Sequence, residues 1–277
     1  MPSFDSARDR FRLGPAHLGV LGCFYEGRPV SADLINARDE LQAAGLINGD
    51  DAVIPELAGL ADALAESVVL VHIEITGGEG ISNHGAVIGN DACYVYEGWP
   101  GETESEYVRT DLSTLVWSLA RAVGLRERDA KPPAAAVITT TIGVMDAGFV
   151  ALAEADTEDV EEAAERLRAV LADEGGLADP ELTVFTHLLL QLNGNWRMTV
   201  AWNNREGRGT DIRGITVLDC GPLGYWLRER PAEPIVPGAV RPDSELRLVF
   251  TETPRVWGLI TDLLPSLDQL RPCRTVM

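Results

Sequence analysis

Basic residues are scarce in this chain. Its 277 residues include 23 Lys and Arg against 43 Asp and Glu, a formal net charge of −20. Nucleic-acid phosphates need clustered Lys and Arg, so that partner class is excluded, and so is an anionic membrane surface. The acidity favours solubility or a partner with basic patches. Cysteine is scarce as well. Cys23, Cys93, Cys220 and Cys273 are scattered with no C-x-x-C, which fits thiols used as small core fillers in a reducing cytosol. Only four histidines occur, His17, His72, His84 and His187, with no H-E-x-x-H and no pair four apart on one helix. The usual spacing of a metal site is therefore missing. No apolar run approaches 18 residues, so no membrane span is expected. Residues 1–12 are polar and charged and lack a signal peptide's apolar stretch, so the expected location is cytoplasmic.

Motifs that invite chemistry fail on their context. Gly77-Gly78-Glu79-Gly80 lacks the G-K-[ST] ending of a phosphate loop, and a strand pattern follows it where a helix is needed. It reads as a hairpin turn. Asp219-Cys220-Gly221 has no strand–turn–helix setting and no placed base, so Cys220 reads as a thiol beside a tight turn. Glu158, Asp159, Glu161, Glu162 and Glu165 share one helix and form its wet face. Residues 38–47 look like the helix and turn of a winged helix. The next helical segment, 55–64, carries Glu56 and Asp62 and no base, which a recognition helix would need. No enzyme activity, cofactor or metal is expected.

What the chain does have is repetition. Pro55-Glu56-Leu57 recurs as Pro180-Glu181-Leu182, 125 residues on. Val69, Val71, Ile73 and Ile75 recur as Trp196, Met198, Val200 and Trp202 at 127, and Glu79-Gly80 as Glu206-Gly207 at the same offset. Val116-Trp117-x-Leu119 recurs as Val256-Trp257-x-Leu259 at 140. The growing offset has a cause in the Pro-rich insertion Pro231 to Pro242, since loops tolerate added length. The expected organisation is one domain over 1–277: a first repeat at 9–125, a linker at 126–133 and a second repeat at 134–268. Hydrophobic content of 45 % supplies a sizeable core.

Each copy follows one plan. A short extended piece and a helix open it, at 11–26 and 137–153. An amphipathic helix follows. Leu34, Ala37, Leu41 and Ala44 make the first stripe; Val160, Ala164, Leu167 and Leu171 make the second. Ser31 or Asp33 caps the first and Thr157 the second, and Gly45 and Gly175-Gly176 stop them. A Pro-led helix comes next, then period-two strands at 68–75 and 195–202 with returning hairpin strands, and a closing helix at 112–123 or 254–264. One copy alone leaves open strand edges, a liability that a shared sheet removes. The expected fold class is α+β: a pseudo-twofold duplication with a central antiparallel sheet and helical bundles packed on it.

Several stretches carry a resemblance. They are Phe11-x-Leu13-x-Pro15-x-x-Leu18-x-x-Leu21, residues 37–47 followed by Pro55-Glu56-Leu57, and Val217-Leu218-Asp219 with Gly224-Tyr225. Together they resemble the EspG family, the type VII (ESX) secretion-associated proteins of mycobacteria and related actinobacteria. The family's usual Arg before the Tyr is missing here. The resemblance implies a pseudo-twofold α+β fold and a cytosolic chaperone. Such a chaperone covers the apolar helical tip of a PE/PPE- or WXG-type client before export. It further implies contacts from the central sheet, a hairpin loop and the C-terminal helices. That places Gly78, Glu79, Ile81, Trp202, Asn204, Glu206, Arg208 and Trp257 as partner-binding residues. The alternative is an acidic, non-catalytic interaction or regulatory protein with no secretion client.

Overall fold

A computed structural model describes residues 1–155, 159–204, 209–229 and 240–270. Its eleven described strands make a large antiparallel sheet, with helices packed on it. The chain divides into two compact units. The first comprises Met1–Leu125, Met198–Gly214 and Ile260–Met277; the second comprises Arg126–Arg197 and Ile215–Leu259.

The first unit opens with strands β1 (Ser3–Asp5) and β2 (Arg10–Leu13). Helices α1 (Pro15–Tyr25), α2 (Ile35–Ala43) and α3 (Pro55–Ala65) follow. Next come β3 (Val69–Gly77), β4 (Gly80–Ile88), β5 (Cys93–Gly98), β6 (Ser105–Thr110) and helix α4 (Leu115–Ala122). Strand order is β1-β2-β6-β5-β4-β3. Pro15 and Pro55 start their helices at the position where a missing N–H costs nothing. Chain reversal after α2 uses Gly45 at φ +70°. Phe11, Leu13, Leu21, Leu41, Leu57, Leu60, Val87, Tyr94 and Tyr107 share one core with α1–α3. Arg121 of α4 bonds Glu97 at 2.8 Å, which puts α4 on the opposite sheet face.

The second unit contains β7 (Val137–Thr141), α5 (Ile142–Glu154), α6 (Val160–Gly175) and α7 (Glu181–Leu190). Strands β8 (Gly194–Asn203) and β9 (Thr210–Asp219) run through both units. Strands β10 (Tyr225–Arg228) and β11 (Glu245–Thr251) precede helix α8 (Thr253–Leu263). Neighbours run β9-β10-β11-β7. The core gathers Ile138, Leu167, Leu171, Phe185, Leu188, Leu218, Trp226, Leu246 and Leu248.

Some sequence expectations shift. Asp159 caps α6, its carboxylate accepting from the N–H groups of Glu161 and Glu162 at 3.0 and 3.1 Å. Such a cap is worth about 1 kcal/mol. Thr157, Glu158 and most of the Pro-rich insertion lie outside the described residues. Val160 is exposed, because it begins the helix before the buried stripe of Ala163, Leu167 and Leu171 takes over. Ala44 is exposed too, since α2 ends one residue earlier. The expected linker is fastened down: the Arg126 N–H donates to the Tyr225 hydroxyl at 2.9 Å, and Arg128 reaches Asp219 at 2.9 and 3.1 Å.

Candidate functional site

Strand β3 alternates buried and exposed residues, and so presents two faces. Val69, Val71 and Ile73 are buried. Leu70, His72, Glu74 and Thr76 point the other way, opposite Val87, Gly85, Asn83 and Ile81 of β4. On this second face α1–α3 cover Tyr94, Tyr107 and Val87 but leave much of β3 open. Leu70 is 45 % exposed, Ile81 56 %, and His72 and Asn83 are exposed. The result is a strip of open sheet with an apolar residue near each end and polar groups between.

One row across this face is aromatic. Phe4 stacks on Phe11 at 4.5 Å, Phe11 faces Tyr107, and Tyr107 lies 5.5 Å from Tyr96. Tyr96 then crosses Gly85, which offers no side chain, and brings its hydroxyl 3.2 Å from His72 Nδ1. Burial pushes the Tyr96 hydroxyl well above its usual range and the Tyr107 hydroxyl up to about 12. Both stay neutral at physiological pH, so this row is a scaffold that sets the open strip.

The residues expected to bind a partner fall in different environments. Gly78 and Glu79 form the exposed β3–β4 turn, with Ile81 just beyond it. Trp202 is only 3 % exposed and cannot touch a partner. The Arg213 guanidinium sits over its ring at 4.9 Å and donates to the Asp262 and Leu264 carbonyls at 3.0 and 3.4 Å. A cation there answers the negative end of α8. Trp202 therefore supports Arg213 from beneath. Asn204 is half-buried and pairs with Leu270 through a backbone bridge. Trp257 is half-buried on α8. Glu206 and Arg208 lie outside the described residues. The alternation in β3 puts His72 on a sheet face, but neither it nor Leu70 was among the expected contacts, although the same period-two pattern sets both opposite the buried Val face.

Groups that could do chemistry are placed unfavourably for it. Ser82 Oγ lies 2.9 Å from His84 Nε2, the distance of a nucleophile–base pair. Burial lowers the His84 pKa, and its buried Nδ1 has no partner among the described residues, so nothing orients the ring as a base. The pair lines neither the cleft beside Arg128 nor the one beside α3. Among the described residues no hydrogen bond joins Cys93 or Cys220 to a histidine, and no group of three His, Cys, Asp or Glu is placed to hold a metal ion. No helix among them is long and apolar enough to cross a membrane.

The thiols give a pH prediction. Burial pushes Cys93 up to about 11 and Cys220 up to about 12, from 9.0 for a free thiol. The unfolded chain thus deprotonates first, so their contribution is complete below pH 9 and is lost as pH rises toward the folded values. At pH 10 each thiol is expected to cost on the order of 1 kcal/mol. Urea unfolding of wild type against Cys220→Ala at pH 7.5 and pH 10 checks this. An equal fall with pH in both chains would sink the assignment.

The motif Val217-Leu218-Asp219 with Gly224-Tyr225 serves structure. Asp219 accepts from the Gly221 N–H at 2.9 Å and pairs with Arg128, whose guanidinium lies 5.7 Å from the Tyr225 ring centroid. A cleft of about 210 Å³ beside it is lined by Arg128, Gly224, Tyr225, Phe250 and Thr253, and also by Glu127 and Glu252.

Comparison with known proteins gives a fold and no sequence family. No family model matches the chain, and no curated protein matches it. Among solved structures it is similar to the Mycobacterium tuberculosis type VII secretion system chaperone EspG5, solved in complex with a PE25–PPE41 dimer. The match covers 94 % of this chain and 99 % of that one, at a TM-score of 0.55 and 12 % identity. At that identity the likeness is one of fold: this chain has an EspG-like α+β architecture.

Proposed function

We propose that this chain is a non-catalytic, cytosolic chaperone for a helical client of a type VII secretion system, of PE/PPE or WXG type. The supporting observation is the fold likeness over 94 % of the chain to a chaperone whose solved complex contains a PE–PPE dimer. The open face of β3 and β4 is the proposed contact, with Leu70 and Ile81 as apolar anchors and Gly78 and Glu79 at its turn. A helical tip can cover such a strip without unfolding either partner. A net charge of −20 keeps the free chain apart from copies of itself.

Co-expression tests the reading. A PPE- or WXG-type protein encoded beside this chain is expected to be soluble only in its presence and to co-purify with it. Ile81→Asp should weaken that complex at least about thirtyfold, the ~2 kcal/mol of a hot-spot residue. Ile81 is exposed, so the variant is expected to keep the wild-type unfolding midpoint. Unchanged affinity would clear the strip of any role. Failure of every such client to bind would leave an acidic interaction protein without a secretion client.

We propose further that the chain is one unit used twice. The element order β-α-α-α-β-β-β-β-α runs from β2 to α4 and again from β7 to α8. In each run the first strand pairs antiparallel with the last, β2 with β6 and β7 with β11. Superposition of residues 33–125 on 159–265 tests it, and a differing helix placement would end the idea.

A further inference from the structure

The first unit holds a second concavity, separate from the open strip. A cleft of about 370 Å³ lies between α3 and the turn joining β4 to β5. That volume suits a small organic molecule. Three carboxylates line it, Asp62 from α3, Glu66 just past its end and Asp91 from the turn, against one guanidinium, Arg109. The lining is therefore net negative. Glu66 is fixed in place, accepting from the Tyr25 hydroxyl and from Asn90 Nδ2.

Tyr94 adds an independent observation. It is 3 % exposed, with its ring in the core beneath α3. Its hydroxyl reaches the cleft under Gly59, where an added Cβ would stand 2.8 Å from the oxygen. No hydrogen bond from the described residues satisfies that hydroxyl. The rest of the side chain is enclosed, so that oxygen is left to bond with whatever fills the cleft, water or a ligand that brings a donor. Burial raises the Tyr94 pKa, so the group stays a neutral hydroxyl that can accept an N–H.

The charge arrangement selects the ligand. The carboxylates do not converge closely enough to hold a metal ion. Charge spread around a cavity suits an extended organic cation, and an ammonium brings three donors to share among carboxylates and hydroxyl. We propose that this cleft binds a small primary amine, its ammonium held by Asp62, Asp91 and the Tyr94 hydroxyl.

Cadaverine is the probe. Calorimetric titration of the full chain in about 0.15 M salt, where diffuse surface attraction is screened, is expected to show one saturable site with Kd below about 1 mM. Pentan-1-ol, with the same carbon chain and no ammonium, is expected not to bind. Gly59→Ala, which fills the floor, and Asp62→Asn, at an exposed position, should each weaken cadaverine at least tenfold. Tyr94→Phe should do the same with an unchanged unfolding midpoint. Amide shifts on adding cadaverine should concentrate at Gly59, Asp62 and Gly89 to Ala92. Absence of saturation, equal binding by pentan-1-ol, or full affinity in both Gly59→Ala and Asp62→Asn would overturn the proposal. The last result would place the amine elsewhere on the acidic surface.

Discussion

Trp226→Ala is expected to cost about 3–5 kcal/mol of folding stability, the range for truncating a buried Trp. Trp226 is 1 % exposed and sits in the core of the second unit. Its ring meets Phe250 edge-on at 5.9 Å, an arrangement worth about 0.5–1.5 kcal/mol beyond its buried area. Its indole N–H donates to the Leu223 carbonyl at 3.3 Å, in the tight turn that leads into β10. Truncation therefore opens a cavity, removes an aromatic partner and frees a carbonyl together. Urea unfolding monitored by circular dichroism measures the loss. A change below 1 kcal/mol would mean that the core around Phe185 and Leu218 is not packed as described. Trp226→Phe keeps most of the volume and is expected to recover more than half of the loss.

Gly85→Ala is expected to destabilise by at least about 3 kcal/mol, at or beyond the usual upper end for overpacking. An added Cβ would lie 2.0 Å from the Val71 carbonyl oxygen and 2.6 Å from the Tyr96 hydroxyl. The first neighbour is backbone of the paired strand, so no side-chain rotation relieves it. The β3–β4 pairing must open around Val71 and His72, in the middle of the proposed contact strip. Tyr96→Phe removes only the hydroxyl clash and leaves the ring carbon Cζ at 2.8 Å. The double variant should thus remain nearly as unstable as Gly85→Ala alone. Full rescue by Tyr96→Phe would show that the Tyr96 hydroxyl, and not the neighbouring strand, demands glycine here.

Much of the architecture is legible in the chain. The Pro-led starts of α1 and α3 and the stops at Gly45 and Gly176 are local rules, since φ and the missing N–H belong to single residues. The alternation of Val69, Val71 and Ile73 against Leu70 and His72 marks a strand with two unlike faces. The exclusions also came from residues alone, because nucleic-acid binding and His or Cys metal sites need residue types and spacings that are missing.

Tertiary packing decided the rest. Trp202 and Ile81 both lie in hairpin strands, yet one is buried and the other open. Period two assigns a residue to a face, but which face is covered depends on helices distant in sequence. Arg128 pairs with Asp219, 91 residues away, and Arg213 meets the end of α8, 49 residues away. No local pattern encodes such contacts. The amine cleft has the same origin. Gly59 on α3, Asp91 in a turn and Tyr94 on a strand have no shared spacing, and only the packing of α3 on the sheet brings an unpartnered hydroxyl to the floor of an acidic cavity. Composition and local stereochemistry thus set the elements and the excluded chemistries, while surface, support and cavity were settled by long-range burial, which no single segment specifies.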